Sequence, residues 1–72
     1  MCYAIVVEKG PTSYGAYVPD LPGCVAASEI REEVLQLMRQ AIEFHLEEMR
    51  KEGLAAPEPS SSAEYVEVAQ RE

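Results

Sequence analysis

The sequence predicts an α+β fold of order β-β-β-α-β, a mixed four-stranded sheet with one long helix packed on one face. Two observations carry this. Short apolar runs with strand-like alternation lie on either side of a loop rich in breakers, at Cys2–Glu8 and Tyr14–Val18, and a further alternation closes the chain at Glu64–Ala69. Between them, Ile30 to Glu52 repeats its apolar residues at helical spacing.

Cys2–Glu8 reads as the first strand. Tyr3, Ile5 and Val7 point one way, and Ala4 and Val6 the other. Both faces are apolar, which marks a strand covered on two sides and placed inside a sheet. Lys9-Gly10-Pro11-Thr12-Ser13 is the hairpin loop. Tyr14–Val18 returns antiparallel, with Tyr14, Ala16 and Val18 on one face and Gly15 and Tyr17 on the other. Next comes the most specific string in the chain, Tyr17-Val18-Pro19-Asp20-Leu21-Pro22-Gly23-Cys24. Val18 and Leu21 precede prolines and are held extended. Leu21-Pro22-Gly23-Cys24 has the type II pattern, with glycine where φ must be positive. Asp20 has a turn-forming carboxylate, and since Pro22 has no N–H, the amide of Gly23 is its expected donor. Val25–Ser28 is a short third strand of small residues.

The helix carries Glu29, Glu32 and Glu33 at the positive end of its dipole and Arg50 and Lys51 at the negative end. Ser28 or Glu29 is left to cap it, and Gly53 fits a left-handed stop. On a wheel of about 100° per residue, Val34, Met38, Ala41, His45 and Met49 centre one stripe. Leu35, Ile42 and Leu46 extend it on one side, and Ile30, Leu37 and Phe44 on the other. The arc covers roughly half the circumference, more than one sheet requires. A second copy is the simplest cover, with Leu35, Leu37, Phe44 and Leu46 as candidate oligomer contacts and a dimer as the simplest assembly. Ala55–Ser62 is a stiff polar connector. A right-handed crossover then brings the last strand beside the first, in the order 3-2-1-4 with strands 1 and 4 parallel. Gln70-Arg71-Glu72 is tail.

Seventy-two residues make one domain, 1–72, of a size that gains from association. Thirteen acids against six bases give a net charge of -7. That excludes a nucleic-acid grip by this chain alone and suits a basic protein partner. One histidine and two cysteines without paired spacing give no metal set. No metal or other cofactor is expected. Cys2 and Cys24 are read as free thiols in a reducing, cytoplasmic setting, and Cys24 as a small packed residue. No apolar run is long enough to span a membrane.

Ala16-Tyr17-Val18-Pro19-Asp20-Leu21-Pro22-Gly23-Cys24 resembles the signature of HicB-like antitoxin domains of bacterial toxin–antitoxin systems. Val7-Glu8-Lys9-Gly10 before it, Glu32-Glu33-Val34-Leu35 and Ala41-Ile42-Glu43-Phe44-His45-Leu46-Glu47 in the helix, and Pro57-Glu58-Pro59-Ser60 after it extend the likeness over nearly the whole chain. Ile30 departs from it, since members often have Thr or Ser there. The resemblance implies a partial ribonuclease H-like fold. It also implies a module that binds and blocks a HicA-type, RNA-cleaving toxin by occlusion, with acidic side chains standing in for phosphates. The alternative is a stand-alone oligomeric binding module without a toxin. Tyr14, Tyr17 and Asp20 are the candidate partner-binding residues, and since the two tyrosines lie on opposite faces, at most one is central. Full antitoxins usually add a DNA-binding domain, and none is expected in a chain that stops at Glu72.

Ribonuclease H enzymes hold two metals with carboxylates, the first in mid-strand one. Tyr3–Val7 carries no acid, while Glu8 and Asp20 lie at strand ends and Glu67 points outward. No catalytic residues are assigned, and the chain is not expected to be an enzyme. His45, the lone histidine, is read as a core or interface residue, with a switch or catalytic role as the alternative.

Overall fold

A computed structural model describes residues 1–70. Arg71 and Glu72, read above as tail, lie outside the described residues. The elements are β1 (Val6–Lys9), β2 (Tyr14–Tyr17), β3 (Val25–Ser28) and α1 (Arg31–Lys51). The strands form an antiparallel meander in the order β1-β2-β3. Val6 pairs with Tyr17 and Lys9 with Tyr14, while Tyr14 pairs with Ser28 and Tyr17 with Val25.

β1 is shorter than the apolar run that contains it, because its partner runs out. Past Tyr17 the Val18 amide faces β3 by strand alternation and donates to the Cys24 carbonyl at 3.2 Å, and Pro19, next in line to face β1, has no N–H to offer. At the other end the Gly10 amide donates to the Ser13 carbonyl at 2.7 Å and closes the hairpin loop.

The corner after β2 is two consecutive turns. The Leu21 amide donates to the Val18 carbonyl and the Cys24 amide to the Leu21 carbonyl, each at 3.1 Å. Gly23 has φ +85°, as a type II turn requires. The turns drive Leu21 inward, where it is 1% exposed and joins Ala16, Val18, Cys24, Val34 and Met38 in the buried core.

Ser28 prepares the helix start. Its hydroxyl accepts the Ile30 amide at 3.2 Å and donates to Glu33 Oε1 at 2.9 Å. Ile30, the residue that precedes the helix, gives its carbonyl to the Val34 amide at 3.0 Å. Glu32 and Glu33 occupy the first turn and Arg50 and Lys51 the last. At the C-terminus the Leu54 amide reaches the Met49 carbonyl at 2.9 Å and the Gly53 amide the Arg50 carbonyl at 3.0 Å, with Gly53 at φ +77°. This is a Schellman stop. The pairs Glu47–Arg50 and Glu48–Lys51 are exposed and add little.

The helix lies over β2 and β3. Val34 and Met38 are fully buried beneath it, and Tyr3, Ile5, Val7, Tyr14, Ala26, Ala41, Ile42 and Leu46 pack around them. The expected division of β1 and β2 into faces is therefore what forms.

The fourth strand is a correction. Among the described residues the sheet has three strands, and Glu64–Ala69 forms no strand. The expected order 3-2-1-4, with strands 1 and 4 parallel, does not form. Tyr65 is 100% exposed, and Val66 and Val68 are mostly exposed. The connector before it is tied to the body of the fold. The Tyr3 hydroxyl donates to the Pro57 carbonyl, and Ser60 and Ser61 are tied to Asp20. The corner holding Asp20 follows β2, on the paired side of β1. The outer edge of β1 keeps no strand partner among the described residues.

Candidate partner-binding surface

The face of the sheet turned away from α1 is open. The register brings Val6, Tyr17 and Val25 into one row across the three strands, with Glu8, Gly15 and Ala27 in the row beside it. Tyr17 is 41% exposed and Val25 64%. The result is an aromatic ring between two β-branched side chains, next to a carboxylate and to small residues that leave it standing proud. Such a row, an apolar anchor with an acidic neighbour, suits a basic partner carrying an apolar spot.

Tyr14 is on the opposite face, packed against the core beneath the helix. Asp20 is already engaged. The Ser60 and Ser61 amides donate to its Oδ2 at 2.9 and 3.0 Å, and their hydroxyls to its Oδ1 at 3.0 and 2.9 Å. The expected bond from the Gly23 amide gives way to these contacts from 40 and 41 residues away. Hydrogen bonds from the two amides, the Ser61 amide foremost, hold the Asp20 carboxyl down at about 2.

This clasp has a pH signature. A carboxyl depressed from its ordinary 3.8 contributes stability that is complete above that value and is lost as pH falls through about 2. The Ser60 and Ser61 amides are therefore expected to be protected from hydrogen exchange at pH 4 and to lose that protection near pH 2. In Asp20→Ala they should exchange rapidly at both. Equal exchange rates in parent and variant at pH 4 would show that the clasp does not hold.

The candidate oligomer residues are divided. Leu46 packs against the core and Leu37 is half-buried, while Leu35 is 37% and Phe44 67% exposed. Ile30 and Phe44 leave the far flank of the stripe uncovered. His45 is half-buried. Cys24 is a buried free thiol whose pKa burial raises, which keeps it protonated, and Cys2 is exposed and also free. Among the described residues no group of three or more His, Cys, Asp or Glu side chains is placed to hold a metal ion. No described helix is long and apolar enough to cross a membrane.

Residues 3–71 match the family model described as the HicB-like antitoxin of bacterial toxin–antitoxin systems. The chain belongs to the HicB-like antitoxin family. An uncharacterized 14.9 kDa protein of Haemophilus phage HP1 is 33% identical over 66 residues, which are 92% of this chain and 50% of that one. A UPF0150 protein of Helicobacter pylori is 40% identical over 50 residues, 69% of each chain. Another from Archaeoglobus fulgidus is 40% identical over 48 residues, 65% of this chain and 70% of its own. The HicB-like chain therefore spans half the length of its phage relative. Among solved structures, a chain of the HicA3 and HicB3 toxin–antitoxin complex superposes with a TM-score of 0.69 at 27% identity, over 83% of this chain and 70% of that one.

The sequence reading of this HicB-like chain named Tyr17 as a candidate and did not name Val6 or Val25. Val6 and Val25 become a row with it only through strand register. Alternation had placed Val6 on the second face of β1, and that was the available signal. Ser60 and Ser61 gave no local sign of their part.

Proposed function

We propose that this HicB-like chain binds a HicA-type toxin and suppresses its RNA cleavage by occlusion, without catalysis of its own. The family match over residues 3–71 is the observation that carries the reading. The likeness to a chain of a toxin–antitoxin complex supports it, as does the net charge of -7, which favours association with a basic surface.

In the proposed complex the open sheet face meets the toxin. Tyr17 is the anchor, Val6 and Val25 exclude water around it, and Glu8 takes the place of a nucleic-acid phosphate on the toxin's basic surface. Tyr14 contributes by holding the sheet to the helix. Asp20 contributes by fixing the connector.

The test is co-expression with a short basic reading frame, where one lies beside the gene. Growth rescue and co-purification are expected. Tyr17→Ala should weaken the purified complex about tenfold or more, roughly 1.4 kcal/mol, with little change in melting temperature. Tyr14→Ala should do the reverse and lower the melting temperature more than the affinity. A neighbour that is not toxic, or that is toxic and does not co-purify, would leave a stand-alone binding module as the better account. Metal-dependent RNA cleavage by the purified chain would overturn both.

A further inference from the structure

The sheet covers only part of the apolar arc of α1. Ile30, Leu37 and Phe44 stand seven residues apart, which returns each to nearly the same side of the helix at about 100° per residue. They mark a stripe about 21 Å long at a rise of about 1.5 Å per residue. Ile30, the N-cap, is 56% exposed and Phe44 67%, with Leu37 half-buried between them. Val34, Met38 and Ala41, on the neighbouring side, pack into the core.

The stripe has the form of a helix-packing seam. Residues at i, i+3, i+4 and i+7 bound the hole that takes one side chain of a packed partner helix. Ile30, Glu33, Val34 and Leu37 bound one such hole. Leu37, Gln40, Ala41 and Phe44 bound the next, where the small Ala41 leaves room for an apolar knob. The charge around the seam selects the occupant. Glu29 and Glu33 lie exposed at its start. Glu33 accepts its hydrogen bond from the neutral Ser28 hydroxyl and so keeps its charge. At the far end Arg50 and Lys51 are paired with Glu47 and Glu48. A second copy of this chain, the cover expected from the sequence, is disfavoured by charge. It would set a second acidic rim, and a further net charge of -7, against the first.

We propose that this flank docks a basic amphipathic helix of another protein. The helix seats apolar side chains in the two holes and lays Lys or Arg over Glu29 and Glu33. Contact along one helix face is small, so the association is of the weak, transient class. The Tyr17 row lies on the sheet face turned away from α1. The flank is therefore a second docking surface, and it stands or falls independently of toxin binding.

NMR titration of the isotope-labelled full chain tests it. The probe is a synthetic peptide of about three heptads with leucine along one face and lysine elsewhere. Its counterpart carries glutamate in place of lysine. The lysine peptide should give saturable shifts centred on Ile30, Leu37, Ala41 and Phe44, and the glutamate peptide none. Phe44→Ala should weaken binding about tenfold or more. Glu33→Gln should weaken it about two- to fivefold and flatten its salt dependence. Tyr17→Ala should bind as the parent does, which separates this surface from the open sheet face. The absence of saturable shifts, shifts centred on the Tyr17 row or beside β1, an equal response to the two peptides, or full affinity in Phe44→Ala would each overturn the proposal.

Discussion

Replacing Leu21 with alanine should lower stability by about 2–5 kcal/mol, the range for truncating a buried leucine. Leu21 is 1% exposed and belongs to a core that holds five other buried residues among those described. A 72-residue domain has a net stability on the order of 4–11 kcal/mol, so this single change removes a large part of it. The surroundings have little freedom to collapse into the space. Leu21 is held by a turn on each side, and Val34 and Met38 above it are fixed on a regular helix. Thermal melting followed by circular dichroism is the measurement, with about 4–8 °C expected for each kcal/mol in a domain of this size. Phe44→Ala is the control. It removes a larger side chain that is 67% exposed, and it should shift the midpoint far less. Equal shifts for the two variants would mean that the corner does not pack into the core.

Gly23→Val should destabilise by about 1–3 kcal/mol for a different reason. A Cβ added at Gly23 meets no atom within 4 Å beyond its chain neighbours, so its first side-chain atom is not crowded. The whole effect comes from holding a β-branched residue at φ +85°, where its side chain clashes with its own backbone. The comparison is Gly15→Ala in β2. That position is equally open and has no left-handed φ, so alanine there should be neutral or stabilise by up to about 1 kcal/mol through the unfolded chain. Denaturant unfolding of the two variants separates backbone strain from packing. A Gly23→Val protein as stable as its parent would mean that the corner takes another turn type.

Both predictions concern a corner that is legible without coordinates. The type II turn at Leu21–Cys24, the left-handed stop at Gly53, the hairpin loop and the alternating faces of β1 and β2 all follow from chemistry acting within a few residues. Proline removes a donor, glycine permits a positive φ, and side chains alternate along an extended chain. The helical stripe is of the same kind, and Val34 and Met38, at its centre, are the two most deeply buried helix residues. The family signature belongs to this local level as well, which is why the resemblance and the family match agree.

The amino-acid sequence by itself determined the three-strand meander, the long helix after it, which side chains of β1 and β2 share a face, and the family. Tertiary structure decided where the last segment goes, which carboxylate is free and which face stays open. Alternation in Glu64–Ala69 marks a strand but does not say whose edge it joins, because strand pairing is settled by contacts distant in the chain. Among the described residues Glu64–Ala69 pairs with no strand. A local reading gave Asp20 to its own turn, since a neighbouring amide is the nearest donor. The fold offered two amides and two hydroxyls together, and a carboxylate takes the fuller set. The same limit applies to Tyr17. Its side of the strand could be read from alternation, but its row with Val6 and Val25 exists only once the three strands are in register.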